Sequence, residues 1–182
     1  LVVDPADDNI LYMVTEDATY DDELSAQCQQ TYQSTGSTQF PFLLVRLELQ
    51  DQNTALITHI RPLKFTEQMQ IGDTPNDGIE AMAFGQNRTL YLGLERDSHK
   101  QARVFSLTIS TDFWQSEDFA AVQDAQLKLP KFTTGNHPIN GMDYYQTPQG
   151  KEYLIAAARN DSKLWLIDLT GQKETRILSL EF

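Results

Sequence analysis

Residues 76–97 read NDGIEAMAFGQNRTLYLGLERD. A short apolar run at 79–84 meets the polar turn GQNR (85–88). A second apolar run follows at 89–94, and Glu95, Arg96 and Asp97 close the stretch. Two runs of about six apolar, β-branched or aromatic residues around a Gly/Asn turn predict a β-hairpin. The same order recurs in INGMDYYQTPQGKEYLIAAARND (139–161) and in LVVDPADDNILYMVTED (1–17). In the latter the first strand starts short. The chain opens on Leu1, Val2 and Val3 without an initiating Met, which reads like a cut inside a strand.

Each hairpin is followed by a third run: FLLVRLEL (42–49), ARVFSLTI (102–109) and KLWLIDLT (163–170). A fourth closes each unit: ALITHIRPLKF (55–65), AQLKLPKF (125–132) and TRILSLEF (175–182), ending on Phe65, Phe132 and Phe182. Four short strands in one order, repeated three times, are the mark of β-propeller blades. A sandwich also has many short strands, but it does not call for the same unit three times. The expectation is therefore an all-β fold: one β-propeller region over 1–182, with four-stranded antiparallel blades at 1–65, 79–132 and 139–182. Rings close with about four to eight blades. Three blades thus imply further blades from a parent chain, or self-assembly.

Two stretches interrupt the pattern. SEDFAAVQDA (116–125) predicts a short helix capped by Ser116. The polar, Gln/Ser/Thr-rich insertion at 18–41 predicts a long surface loop. Tyr12, Tyr91 and Tyr153 recur in the second strands, Met82 and Met142 in the first, and Val45, Phe105 and Trp165 in the third. Repetition of this kind predicts packing between neighbouring sheets.

A formal charge of −12 leaves no basic stripe to neutralise phosphates, so nucleic acid is not an expected partner. An anionic membrane surface is not an expected partner on the same ground. No run of about 18 apolar residues predicts a membrane span. Cys28 is the single cysteine, so no disulfide forms within the chain. HExxH, GxSxG, GxGxxG and the phosphate-binding glycine loop are all missing. NRT (87–89) and NDS (160–162) match the N-glycosylation pattern.

In a blade, the start of the first strand and the end of the second lie at one edge. Glu80 and Asn140 open first strands, while Glu16 with Asp17, Glu95 with Asp97, and Asn160 with Asp161 end second strands. Asp77, Asn136 and His137 lead into the first strands. Oxygen-bearing side chains therefore recur around one mouth. A hard cation such as Ca²⁺ takes six to eight oxygen ligands of this kind, which makes Glu80, Asn140 and Glu16 the candidate metal ligands. A carboxylate at the start of an inner strand needs a partner. A metal, Arg96, Arg159 or a backbone amide would each serve. Glu95, Asp97 and His137 are the candidates for orienting water or moving protons. The alternatives are a capping role for Glu95 and Asp97 and a turn role for His137.

GIEAMAF (78–84), LYLGLERD (90–97) and ARVFSL (102–107) resemble the phytase-like propeller domains described as having esterase-like activity. HPINGMDYY (137–145) and EYLIAAARNDSKLWLIDL (152–169) are similar to gluconolactonase and paraoxonase propellers. In those, an Asn followed by Gly and a Glu help hold a channel metal, although here Ile139 separates Pro138 from Asn140 and Gly141. The resemblance implies a metal-dependent hydrolase of ester, lactone or phosphoester bonds in a small-molecule substrate. It also implies a Ca²⁺ cofactor and a periplasmic or extracellular setting. The alternative is a non-catalytic propeller that presents its acidic face and the 18–41 loop to a protein or carbohydrate.

Overall fold

The computed structural model describes residues 1–15, 26–32, 42–51, 53–69, 71 and 77–180. It is all-β, and each of the three sequence units builds one antiparallel sheet. The first holds β1 (Val2–Asp4), β2 (Asp7–Val14), β3 (Leu43–Leu49) and β4 (Ala55–Lys64), paired in chain order. The middle sheet begins with β5 (Ile79–Phe84), β6 (Thr89–Leu94) and β7 (Arg103–Thr108). Two short strands follow, β8 (Ala120–Ala121) and β9 (Gln123–Asp124). β9 completes the middle sheet, while β8 pairs in parallel with β4 and extends the first. The third sheet is β10 (Gly141–Gln146), β11 (Glu152–Ala158), β12 (Lys163–Asp168) and β13 (Arg176–Ser179). One helix, α1 (Ala26–Tyr32), lies within the 18–41 insertion. The rest of that insertion, Glu16, Asp17 and Phe182 lie outside the described residues.

Two expectations fail in the middle unit. Residues 116–125 form no helix. A 3₁₀ turn at Phe113–Gln115 precedes β8 and β9. Burial over 120–123 alternates with period two, Ala120 and Val122 inward and Ala121 and Gln123 outward. The Val122 N–H bonds to the Lys64 carbonyl at 3.0 Å. An isolated ten-residue helix is marginal in water, and the free edge of β4 offers this backbone a better partner. The fourth strand is also displaced from 125–132 to β9. Gln126 takes a left-handed φ of +53°, which turns the chain away from β7 and ends the ladder.

The sheets stack face to face with the middle one shared. Its side chains alternate between two cores, as strand geometry requires. Leu90, Leu92 and Leu94 of β6 pack with Ile10, Tyr12, Leu44, Leu63 and Phe65 of the first sheet and the segment after it. Ala81, Ala83 and Val104 pack with Leu154, Ala156, Trp165 and Ile167 of the third. Each fully buried Leu or Ile contributes about 1.5–3 kcal/mol. Phe105 falls in the first core and Trp165 in the second, which makes both the sheet-to-sheet packing residues that their recurrence implied. The second interface is close, and Gly93 makes this possible. A Cβ there would stand 3.0 Å from both Ala81 Cβ and Ile139 Cγ2.

An ion pair on a buried carboxylate ties the first sheet to the middle one. Arg88, in the β5–β6 turn, donates through both terminal nitrogens to Asp4 in the β1–β2 hairpin, at 2.9 and 2.7 Å. Tyr12 Oη and the Ala6 N–H also donate to this carboxylate, each at 2.8 Å. Burial opposes ionisation of Asp4, but the Arg88, Ala6 and Tyr12 hydrogen bonds outweigh it and hold the carboxyl at about 2. Arg88 Nε reaches the Ile109 carbonyl at 2.8 Å, so one guanidinium joins two sheets.

Candidate functional site

Glu80 owes its placement to a break in the β5–β6 register. Ile79 pairs with Leu94 and Ala81 with Gly93, so Glu80 is an extra residue, a β-bulge. The bulge shifts the alternation by one. Ile79 and Met82, three apart, thus share the first core, while Ala81 and Ala83 serve the second. Glu80 is released from the ladder with its carboxylate toward the third sheet.

Asn140 meets it there. Ile139, fully buried, anchors the entry to β10. The Asn140 N–H continues the ladder onto the Ala157 carbonyl at 2.9 Å. The side-chain amide of Asn140 then donates from Nδ2 to Glu80 Oε2, across the two sheets. Its Oδ1 accepts the Arg159 N–H at 3.2 Å, which fixes the orientation of the amide. The two candidate ligands therefore do come together. The partner of Glu80 is Asn140 itself, a choice outside those the sequence offered. Arg96 instead pairs with the buried Asp77 and lies 3.5 Å from Glu95.

A cavity of about 290 Å³ opens over this pair, lined by Leu1, Val14, Ile79, Glu80, Met82, Asn140 and Arg159. All three units contribute to it. Val14 ends β2, Glu80 starts β5, and Asn140 and Arg159 flank the third hairpin. Glu16, two residues beyond Val14, lies outside the described residues. The donor set fits a hard cation poorly. Glu80 supplies one carboxylate, the Asn140 oxygen is engaged by a backbone N–H, and the cationic Arg159 lines the same space. No group of three or more His, Cys, Asp or Glu suited to a metal occurs among the described residues.

The candidate proton-transfer residues lie outside the lining of this cavity. Glu95 is buried, and its N–H bonds to the Gly78 carbonyl at 2.8 Å. Asp97 is buried as well. Its Oδ1 accepts the backbone N–H groups of His99 and Gln101 at 2.8 and 3.0 Å, and its Oδ2 accepts Arg103 Nη1 at 3.2 Å. That is an Asx turn with an added ion pair. Asp97 also borders a second cavity of about 330 Å³, between the 97–103 loop and the 124–131 segment.

His137 has both ring nitrogens engaged. Nδ1 faces the Asp161 carboxylate at 2.7 and 2.8 Å, and Nε2 faces the Thr134 carbonyl at 2.9 Å. Both neighbours only accept, so two N–H donors satisfy them. The Asp161 carboxylate, aided by the Thr134 carbonyl and opposed by burial, raises the imidazole pKa. The ring also stacks on Phe132, with centroids 3.7 Å apart. His137 thus pins the 132–137 loop to the turn after β11.

Sequence reasoning did not assign Arg159 to the cavity or pair Asp161 with His137. Arg159 directly follows the apolar run of β11, as Glu95 follows that of β6. That parallel was the available signal.

No family model, curated protein or solved structure matches this chain. Among the described residues no helix is long and apolar enough to cross a membrane.

Proposed function

We propose that the chain forms three blades of a phytase-like β-propeller, and that the cavity over Glu80 and Asn140 binds a small oxygen-rich ligand of the ester, lactone or phosphoester class. The propeller reading is supported by the inner strands. β5 lies against both β1 and β10, as first strands do around a common axis. The binding reading rests on one observation: the Asn140–Glu80 hydrogen bond joins two sheets at a polar cavity to which all three units contribute.

In this reading Arg159 takes an anionic or carbonyl oxygen of the ligand, which suits a guanidinium. Glu80 accepts a hydroxyl, or a proton from water, and Asn140 holds the carboxylate in place. Hydrolysis of the bound ligand is part of the same proposal. The resemblance to phytase-like domains favours it, as does a carboxylate that a bulge delivers into a cavity, a frequent arrangement beside active sites. A periplasmic or extracellular setting belongs to the same proposal. The non-catalytic alternative is favoured by the ties on Asp97 and His137, which leave those groups fully occupied within the fold.

The test is calorimetric titration with inorganic phosphate and, separately, with Ca²⁺, alongside turnover of a nitrophenyl ester and a nitrophenyl phosphate. Phosphate binding that Arg159→Gln weakens at least tenfold, with ester turnover lost in Glu80→Gln, supports the hydrolase. Binding without turnover supports the non-catalytic reading. If neither phosphate nor ester engages the protein, the cavity is no ligand site. Calcium heat that survives Glu80→Gln removes Glu80 as a metal ligand.

A further inference from the structure

The middle sheet is apolar on both faces because a sheet covers each. The outer sheets carry the same two-faced pattern, with exposed apolar side chains on the face away from the shared cores. On the first sheet that face is covered at Val45, which is 4% exposed, and exposed at its edge strands. On the first sheet, Val3 pairs with Leu11, Leu11 with Leu47 and Leu47 with Ile57, an apolar row across four strands on the side away from Tyr12. Val3 is 45% exposed, Ile57 56% and nearby Ile60 55%. On the third sheet the open face carries further rows. Tyr145 pairs with Tyr153, which meets Asp168, and Ala157 pairs with Leu164 and then Leu178; between them Ile155 and Leu166 make a row that ends on Asp143 and Arg176. Tyr145 is 45% and Leu178 46% exposed. Water-facing sheet surfaces normally alternate with polar residues, and contiguous apolar patches of this kind mark interfaces.

The molecule itself shows what such faces receive. Tyr12 packs in the core shared with the middle sheet, and Tyr91 packs against the core shared with the third. Tyr153, at the matching register, lies on the open face. The third sheet's open side is therefore the side on which the next sheet sits twice within this chain. On the first sheet, Leu11 and Leu47 pair one position before Tyr12 and its partner, as Leu90 and Leu107 do before Tyr91. Leu90 and Leu107 pack toward the preceding sheet. The two open faces are thus complementary in kind.

We propose that a second copy of this chain covers them. The third sheet of each copy seats on the first sheet of the other, so that two three-sheet bodies close a ring of six sheets around a twofold axis. Six lies within the range of about four to eight that closes a propeller. A head-to-tail contact made twice is closed and leaves no open face. The inference rests on the fan arrangement proposed above, but it is independent of any ligand.

Light scattering on the purified chain tests it, with a mass twice 20.7 kDa expected. Ile57→Glu on one face and Leu178→Glu on the other each weaken the dimer at least tenfold. Both side chains are about half exposed, so the fold survives, as circular dichroism would verify. An equimolar mixture of the two variants recovers dimer, because one of the two junctions then joins unaltered faces. Ile60→Lys and Tyr145→Lys repeat the pair should either Glu variant fail to fold. A monomeric wild type overturns the proposal. So does a dimer indifferent to one of the two faces, or a ladder of oligomers that lengthens with concentration. Ligand binding at the Glu80 cavity is read separately, so loss of the dimer with binding retained refutes this inference alone.

Discussion

Replacing Asp4 with Asn should lower stability most near neutral pH and least in acid. The substitution keeps the shape of the side chain and removes its charge. Arg88 then loses a bidentate carboxylate, and Tyr12 Oη and the Ala6 N–H lose a charged acceptor. A carboxyl held at about 2 in the folded state, against its ordinary 3.8, contributes about 2 kcal/mol. Because the folded value is depressed, that stability is complete above the unfolded value and is lost as pH falls through about 2. Urea unfolding of wild type and Asp4→Asn at several pH values checks this. The difference should be about 2 kcal/mol at neutral pH and should shrink between about pH 4 and pH 2. Arg88→Ala should cost more, about 3–5 kcal/mol, since it strands a buried carboxylate. A pH-independent difference, or one below about 0.5 kcal/mol at neutral pH, refutes the assignment of Asp4 as the charged tie between sheets.

Gly93→Val should destabilise by about 1–3 kcal/mol through overpacking against Ala81 and Ile139. Ile139→Ala in the same chain should recover part of that loss, and additivity of the two would contradict direct contact. The raised pKa of His137 means that its pairing with Asp161 stabilises fully below the unfolded value of about 6.5. That contribution is lost as pH rises through the folded value, and His137→Gln should flatten the dependence in thermal melts. Asn140→Ala should release Glu80 and loosen the Arg159 backbone, weakening phosphate binding without lowering the melting temperature by more than a few degrees. A melt lowered by ten degrees or more would assign the pair to structure.

Much of the architecture was legible in the order of residues. Alternating apolar runs and Asn/Gly/Pro turns are local signals, and they located four strands in the first and third sheets and three in the middle one. The fourth strand of the middle unit was misplaced because AQLKLPKF alternates convincingly. Nothing in that stretch announces the left-handed backbone at Gln126 that ends its pairing. SEDFAAVQDA passed for a helix because its alternative partner, the edge of β4, lies more than 50 residues away in sequence. The meeting of Glu80 with Asn140 was foreseen from the repeat. The hydrogen bond between them was not, because it depends on a bulge whose register is set by the opposing strand.

The sequence by itself thus determined how many sheets there are, the first three strands of each, and that Glu80 and Asn140 stand at equivalent ends. Those properties follow from period-two patterning and turn chemistry, which act over a few residues at a time. Tertiary structure alone decided that Asn140 orients Glu80, that Arg159 shares their cavity, and that Asp97 and His137 hold loops. The first two depend on residues of separate sheets meeting at one cavity, set by packing across the cores. The last depends on contacts within one unit between segments that the chain fold brings together, Asp97 with 99–103 and His137 with Thr134 and Asp161.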